Sequence, residues 1–137
     1  MATITGGCLC GKIRYRADAE PKFVSLCHCR DCQRFTGSAF AVVVALPKAA
    51  VTITGNLKGF AKQGDSGKAI ERRFCPDCGT SVLDEAETVP GLVMIAAGTL
   101  DDASWVKPKS EIYCASAQPW VRFGAELALK SFAKVPG

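Results

Sequence analysis

The sequence lacks any apolar stretch long enough to cross a bilayer. Its longest apolar run, Ala39 to Leu46, is much shorter than the ~20 residues that a membrane-spanning helix needs. The N-terminus has no basic segment followed by an apolar core, so we expect no secretory signal peptide. Repeats, low-complexity segments and linkers are also absent. These absences favour a cytoplasmic protein without a membrane partner, with residues 1–137 forming a single domain.

A large excess of charge of either sign is absent as well. The chain has 17 Lys and Arg against 13 Asp and Glu, which gives a net charge of +4 and a pI near 8.7. Nucleic-acid-binding domains are usually more basic, so we do not expect a nucleic-acid partner. Mild positive charge favours a small anionic ligand. Nothing in the sequence indicates an oligomeric state. The arginines closest to the cysteine motifs are candidates to bind an anionic substrate, although such residues more often form a solvated surface: Arg30, Arg34, Arg72 and Arg73.

Cysteine, by contrast, is abundant. The chain has eight cysteines, and seven of them fall in three motifs: Cys8-Leu9-Cys10, Cys27-His28-Cys29-Arg30-Asp31-Cys32 and Cys75-Pro76-Asp77-Cys78. A secreted disulfide scaffold would need an export signal, so the close spacing favours metal binding over disulfides. Cys114 stands apart, and we predict it to be a small buried hydrophobic residue.

The first and last motifs together supply four sulfurs. In Cys8-x-Cys10 on extended backbone both thiolates point to one face, and the Cys75-x-x-Cys78 turn brings two more to one point. Zinc prefers four such ligands in a tetrahedron, at about 2.3 Å. We therefore predict a structural zinc site that joins the two ends of the chain. Gly6-Gly7 is predicted to form a tight turn just before it.

The middle motif supplies three sulfurs, from Cys27, Cys29 and Cys32, and no obvious fourth. Three protein ligands with an open position are typical of a catalytic zinc, which can ionise a substrate thiol and orient it toward an electrophile. Three thiolates on one dication leave negative charge, so this zinc is expected to be labile. A disulfide plus a free thiol, or a structural site completed by Cys114, are the alternatives. His28 lies between two ligands and is expected to point to the opposite face, as a packed or surface imidazole.

The pattern of apolar residues predicts a mainly β fold with many short antiparallel strands and few short helices. Residues 40–46 are predicted to form a strand buried on both faces, and residues 30–36 a short helical turn that ends at Gly37. Residues 64–67 are expected to form a mobile hairpin tip. Residues 126–134 are predicted to form a terminal helix.

Three segments carry a family resemblance. The segment Gly6 to Tyr15 reads G-G-C-x-C-G-x-I-x-Y, Cys27 to Ser38 reads C-H-C-x-x-C-x-x-x-T-G-S, and Phe74 to Thr80 reads F-C-x-x-C-G-T. In this order they resemble the glutathione-dependent formaldehyde-activating enzyme family, which is shared with centromere protein V. Members often carry histidine in a late P-x-x-H-I segment, where this chain has Glu111.

The resemblance implies a fold of coiled sheets around a zinc site, called a zinc β-tent. It implies that Cys8, Cys10, Cys75 and Cys78 hold a structural zinc, and that Cys27, Cys29 and Cys32 hold a catalytic one. The implied activity is a carbon–sulfur lyase that acts on an adduct of a thiol, such as glutathione, with an aldehyde, such as formaldehyde. Two other functions stay open: a non-catalytic zinc-binding interaction module, and a zinc or redox sensor.

Overall fold

The protein, described here by a computed structural model over residues 3–124 and 127–136, is built mainly of β-strands. Within those residues there are eleven strands, one α-helix and three short 3₁₀ turns. The elements are β1 (Thr3–Gly7), β2 (Arg14–Asp18), β3 (Phe23–Cys27), α1 (Arg30–Thr36), β4 (Ala41–Pro47), β5 (Val51–Thr54), β6 (Lys58–Gln63), β7 (Ala69–Phe74), β8 (Ser81–Ala86), β9 (Leu92–Ala96), β10 (Ser110–Ile112) and β11 (Lys130–Ser131), with 3₁₀ turns at Lys48–Ala50, Ala97–Thr99 and Cys114–Ser116.

The strands form two sheets. The smaller sheet has three antiparallel strands in the order β1-β2-β5, and the larger has eight in the order β11-β10-β3-β4-β9-β8-β7-β6. Pairing is antiparallel throughout, except that β10 runs parallel to both β3 and β11. The prediction of a mainly β fold with antiparallel sheets is confirmed. None of the described helices is both long and apolar enough to cross a membrane.

The larger sheet is buried on both faces at its centre, where β4 lies. On one face Val44 and Ile95 pack with Tyr15 of the smaller sheet, in a core that also contains Cys8 and Cys75. A second, smaller cluster occupies the other face, where alternate β4 residues pack against the middle cysteine motif. Side chains alternate between faces along a strand, so β4 contributes to both clusters. The prediction of a doubly buried strand is confirmed.

The short helix α1 is also confirmed. Gly37 follows it with φ +68°, and its N–H donates to the carbonyl of Gln33. A left-handed residue at this position is easiest for glycine and ends the helix. The predicted hairpin tip at residues 64–67 is confirmed as the turn between β6 and β7, where the N–H of Gly64 donates to the carbonyl of Lys68 at 2.9 Å.

The predicted turn at Gly6-Gly7 is wrong, because both glycines lie inside β1 and pair with β2. A Cβ on Gly6 would lie 2.2 Å from Tyr15 Oη and 2.4 Å from the carbonyl oxygen of Thr99. Glycine is therefore required here for close approach between the strand and its neighbours, and not for a left-handed turn.

The predicted terminal helix is wrong over residues 127–134, and Glu126 lies outside the described residues. Lys130–Ser131 form β11 there, beside β10. The N–H of Phe132 donates to the carbonyl of Glu111 at 3.0 Å, and the N–H of Tyr113 donates to the carbonyl of Lys134 at 2.8 Å. The free edge of β10 thus supplies backbone partners, which override a weak local preference for helix.

Candidate metal centres

Four cysteines from distant parts of the chain meet beside the larger core. The Sγ atoms of Cys8, Cys10, Cys75 and Cys78 all lie within 4.8 Å of one another. Cys10 Sγ lies 3.5 Å from Cys8 Sγ and 3.8 Å from Cys75 Sγ. A tetrahedral zinc with bonds of about 2.3 Å would separate its sulfurs by about 3.8 Å. The spacing therefore fits a zinc ion, and the structure brings together the set predicted from the sequence.

Two turns present these sulfurs, and the expectation that Cys8 and Cys10 lie on extended backbone is wrong, because Leu9 and Cys10 lie in a turn after β1. The N–H of Gly11 donates to the carbonyl of Cys8 at 3.1 Å, and the N–H of Gly79 donates to the carbonyl of Cys75 at 2.8 Å. The φ angles of Gly11 and Gly79 are +83° and +78°, in the left-handed region that favours glycine. Each turn therefore folds the backbone back under its cysteine pair.

Hydrogen bonds favour the ionised form of two sulfurs in this group, those of Cys8 and Cys78. Cys8 Sγ accepts from the N–H of Ile13 at 3.2 Å. The Thr80 hydroxyl lies 3.2 Å from Cys78 Sγ, and this contact, together with backbone hydrogen bonds from Thr80 and Cys10, lowers the pKa of Cys78 to about 5. Donors aimed at a sulfur stabilise its thiolate form, which is the form that binds metal.

The second group is built around the start of α1. Cys27 ends β3, Cys29 is the N-cap of α1, and Cys32 lies in its first turn. Their Sγ atoms lie within 4.8 Å of one another, and Cys29 Sγ accepts from the N–H of Cys32 at 3.3 Å. Cys27 and Cys32 are buried, and Cys29 is partly exposed. The structure thus also brings together the three sulfurs predicted from the middle motif.

Charge in this second group is concentrated on one sulfur. Hydrogen bonds from the thiols of Cys27 and Cys32 hold the pKa of Cys29 far below its usual value. The pKa of Cys27 is raised by its contact with Cys29, and the pKa of Cys32 is raised by its contact with Cys27. All three sulfurs would ionise together only beside a compensating positive charge, which a metal ion would supply.

Two buried charged residues lie on the same face of the sheet as this group. Arg72 is 7% exposed and Asp84 is 9% exposed. Burial lowers the pKa of Arg72, but Cys32, Asp84 and Cys29 together outweigh it, and the pKa is raised overall. Burial raises the pKa of Asp84 to about 6, with Arg72 acting in the opposite direction. Sequence reasoning grouped Arg72 with other arginines and missed Asp84.

The other candidate arginines do not share this environment. Arg30 and Arg34 are exposed on α1, and Arg30 bonds the side chain of Gln33. Arg73 Nε donates to Glu71 Oε1 at 2.6 Å. Of the four arginines, only Arg72 is buried.

Tyr113 connects the second group to the hairpin between β6 and β7. It packs against this cysteine cluster and has φ +56°, which is uncommon for a residue with a side chain. Its hydroxyl donates to Asp65 Oδ1, at the hairpin tip, at 2.8 Å. A second contact joins Lys62 Nζ of β6 to Asp31 Oδ1 of α1 at 2.9 Å. The hairpin is therefore held against the site by two polar contacts.

His28 points to the opposite face, as predicted. It is 1% exposed, and its Nε2 lies 2.8 Å from Glu111 Oε1. Ser131 Oγ donates to the other oxygen of this carboxylate at 2.6 Å, and Phe40 and Phe123 flank the imidazole. The pair lines a cleft of about 390 Å³. The sequence analysis did not predict the contact between His28 and Glu111. The unusual Glu111, at a position where related sequences often carry histidine, could have indicated it.

Cys114 does not complete the three-cysteine group. Its Sγ lies near His28 and Glu111, 3.7 Å from the carbonyl oxygen of Glu111, and it is partly exposed. The prediction that Cys114 is buried is therefore wrong. All eight cysteines, each within the described residues, are free thiols. Neither a disulfide in the middle motif nor a site closed by Cys114 is present.

The fold and these sulfur groups define a β-rich protein with cysteine clusters that can hold metal ions. Residues 3–116 match the family "Glutathione-dependent formaldehyde-activating enzyme". The chain belongs to this family, and the membership predicted from its motifs is confirmed.

Relatives with related names support the match. The chain is 33% identical over 82 residues to an "Uncharacterized lyase" of Schizosaccharomyces pombe, which covers 60% of this chain and 57% of that protein. It is 28% identical over 116 residues to a "Putative glutathione-dependent formaldehyde-activating enzyme" of Aspergillus flavus, which covers 79% of this chain and 60% of that protein. The chain thus spans less than two-thirds of the length of these relatives.

A crystal structure of a Rhodobacter sphaeroides protein has a similar fold. The TM-score is 0.59, with 17% identity, over 93% of this chain and 98% of that one. This likeness supports the fold alone.

Proposed function

We propose that this protein is a carbon–sulfur lyase that acts on the adduct of a thiol with an aldehyde, of which S-hydroxymethylglutathione is an example. One observation carries the proposal. The sulfurs of Cys27, Cys29 and Cys32 converge, and no fourth His, Cys, Asp or Glu in the described part of the chain joins them. A three-ligand set with an open position is the arrangement that catalytic zinc sites use. Glutathione and formaldehyde, named in the family description, are the first substrates to test.

The two cysteine groups would have separate roles. Cys8, Cys10, Cys75 and Cys78 would hold a structural zinc, since four sulfurs leave no position for a substrate. A zinc held by the other three would supply a Lewis acid that keeps a substrate thiol ionised near neutral pH. We expect this second zinc to be the more labile one. We also propose that residues 1–137 form one domain and act in the cytoplasm, where thiols stay reduced.

The reaction is a reversible addition. In the forming direction the thiol loses its proton, its sulfur bonds to the carbonyl carbon, and the carbonyl oxygen takes up a proton. Cleavage breaks the same carbon–sulfur bond and releases the thiol and the aldehyde. Met94 and Tyr113 pack around the cysteines, and we expect them to limit the access of water to the reacting sulfur. This environment strengthens electrostatic interactions with a thiolate.

Exchange spectroscopy tests the proposal. Zinc-loaded protein is added to glutathione and ¹³C-formaldehyde at equilibrium, and the exchange rate between free and adduct carbon is measured by NMR. Wild-type protein should accelerate exchange, and Cys29→Ser should abolish the acceleration while keeping the far-UV circular dichroism of the wild type. Cys114→Ser is the matched control, since this cysteine lies outside the three-sulfur group, and it should keep full activity. Normal exchange with Cys29→Ser would overturn the mechanism.

A redox or zinc sensor is the second candidate. The close approach of three free thiols favours it, because a mild oxidant could join two of them and release the metal. The mark of a sensor would be reversible zinc loss with hydrogen peroxide and no acceleration of adduct exchange. Acceleration of exchange by the wild-type protein would favour the lyase instead.

A further inference from the structure

Arg72 is the only arginine buried in the part of the chain that the structure describes. It lies in β7 opposite Asp84 of β8, and Asp84 lies opposite Met94 of β9. Opposed residues of neighbouring strands share a face of the sheet. Met94 packs in one cluster with Cys27 and Cys32. The guanidinium therefore lies on the face of the sheet that carries the three-cysteine group.

The adjacent residue, Arg73, provides a contrast. It follows Arg72 in the strand, so its side chain leaves from the opposite face. Its Nε donates to Glu71 Oε1 at 2.6 Å, and its Nη2 lies 3.9 Å from Glu85 Oε1. Arg73 is thus partly exposed and paired with carboxylates, which makes it a matched control for the same charge one residue away.

The hydrogen bonding of Arg72 is incomplete. Within residues 3–124 and 127–136, its Nε has no hydrogen-bond partner. A buried guanidinium is costly unless negative charge lies close to it. The negative groups on its face are the Asp84 carboxylate and the cysteine sulfurs, and Cys32 acts to raise the pKa of the guanidinium. The charge of the sulfur group is therefore part of what keeps this arginine in the interior.

The net charge of the metal and its sulfurs determines which additional ligand the Arg72 guanidinium favours. Three thiolates on one zinc dication leave one excess negative charge, and a fourth thiolate would leave two. Such a charge is unfavourable in a buried site unless a cation lies near it. A neutral fourth ligand adds no charge. The nearby guanidinium therefore stabilises the thiolate-bound state more than a state with a neutral ligand.

We propose that Arg72 is a positioning residue that makes the three-cysteine site selective for an anionic sulfur ligand. This inference rests on the proposed function, because it takes the substrate thiol to bind at Cys27, Cys29 and Cys32. The guanidinium acts on the charge of the bound sulfur and not on other groups of the substrate. Thiols without any carboxylate should therefore depend on Arg72 as strongly as glutathione does.

Cobalt-substituted protein tests this selectivity. Co²⁺ replaces zinc, and the sulfur-to-cobalt absorption bands report on ligands that enter an open position. The four-cysteine group has no such position, so ligand-induced changes report on the second group. The probes are 2-mercaptoethanol, which carries no carboxylate, and imidazole, which binds as a neutral ligand. Dissociation constants for both are measured with wild-type protein, Arg72→Met, Arg72→Lys and Arg73→Met.

We expect Arg72→Met to weaken 2-mercaptoethanol binding by about tenfold or more, equivalent to about 1.4 kcal/mol, and to leave imidazole binding within about twofold. Arg72→Lys keeps the charge and should restore most of the thiol affinity. Arg73→Met should match wild-type protein for both probes. Equal weakening of both probes by Arg72→Met would mean a purely structural role and would overturn the proposal. An Arg72→Lys variant that binds 2-mercaptoethanol no more tightly than Arg72→Met would also overturn it.

A second variant, for which we expect the opposite effect on thiol binding, tests the proposal even if Arg72→Met does not fold. Asp84→Asn removes a negative charge from the same face, so it should strengthen 2-mercaptoethanol binding relative to imidazole binding. Weaker thiol binding in Asp84→Asn would contradict the proposal. If the wild-type spectrum does not respond to thiol, the proposed function fails. If wild-type protein and Arg72→Met bind thiol equally, only the role of Arg72 fails.

Discussion

Replacing the exposed Cys10 with serine should destabilise the protein more than replacing the buried Cys32. Ordinary packing predicts the reverse order, since Cys10 is exposed and Cys32 is 6% exposed. We expect the larger loss of stability at Cys10 because its sulfur lies beside one from a distant part of the chain. Cys10 and Cys75 are 65 residues apart in the chain and 3.8 Å apart at their sulfurs. Cys27 and Cys32 are already ordered by β3 and α1.

The magnitude follows from loop closure. A cross-link that closes a loop of this length stabilises the folded state by about 4 kcal/mol, on the entropy scale used for disulfides. Cys10→Ser weakens the metal group that forms this cross-link, so we expect it to lower the free energy of unfolding by up to about 4 kcal/mol. Cys32→Ser should cost about 1 kcal/mol, since serine keeps a polar group of similar size at a local site.

The assay is urea denaturation of zinc-loaded protein, followed by tryptophan fluorescence and repeated with a strong chelator. The chelator should lower the free energy of unfolding of the wild type to nearly that of Cys10→Ser, because the cross-link is then absent in both proteins. Equal destabilisation by Cys10→Ser and Cys32→Ser in the zinc-loaded state would refute the division of the cysteines into a closed and an open group.

Three further predictions concern the scaffold. Gly6→Ala places a Cβ 2.2 Å from Tyr15 Oη and should cost about 1–3 kcal/mol in urea melts, whereas Gly98→Ala, which meets nothing within 4 Å, should stay within about 0.5 kcal/mol of wild type. Glu111→Ala leaves the buried Nε2 of His28 without its acceptor and should cost about 1–3 kcal/mol in thermal melts, while Glu111→Gln should cost less; equal losses would contradict this reasoning. Burial raises the pKa of Tyr15 to about 12 from 10.0, so the folded state holds a proton that the unfolded state loses, and stability should fall as the pH rises through this interval. Tyr15→Phe should remove that slope, and an unchanged slope would assign it to other groups.

Local spacing predicted the metal groups well. The C-x-C and C-x-x-C motifs are short, so each pair converges through its own backbone, and the first and last motifs together supply the four sulfurs that zinc prefers. The helix that presents Cys29 and Cys32 was predictable for the same reason, since Gly37 ends it within a few residues. The opposite direction of His28 followed from alternation along a strand.

Features that depend on pairing between distant strands were not predictable. Arg72, Asp84 and Met94 lie opposite one another because of the register of β7, β8 and β9. The register of β7 with β8 also shifts between Arg73 and Phe74. A shift of one residue moves a side chain to the other face, so sequence alone did not separate Arg72 from Arg73. The need for glycine at position 6 likewise comes from Tyr15, across the sheet.

The number of zinc ions bound per chain distinguishes a closed four-cysteine site from an open three-cysteine site. Protein purified without chelator or added thiol is analysed for zinc beside Cys29→Ser and Cys78→Ser. This division of the cysteines predicts two zinc ions in the wild type, one in Cys29→Ser with the fold intact, and loss of the tightly held zinc with destabilisation in Cys78→Ser. Wild-type protein with no bound zinc, or a Cys29→Ser variant that loses all its zinc and unfolds, would contradict it.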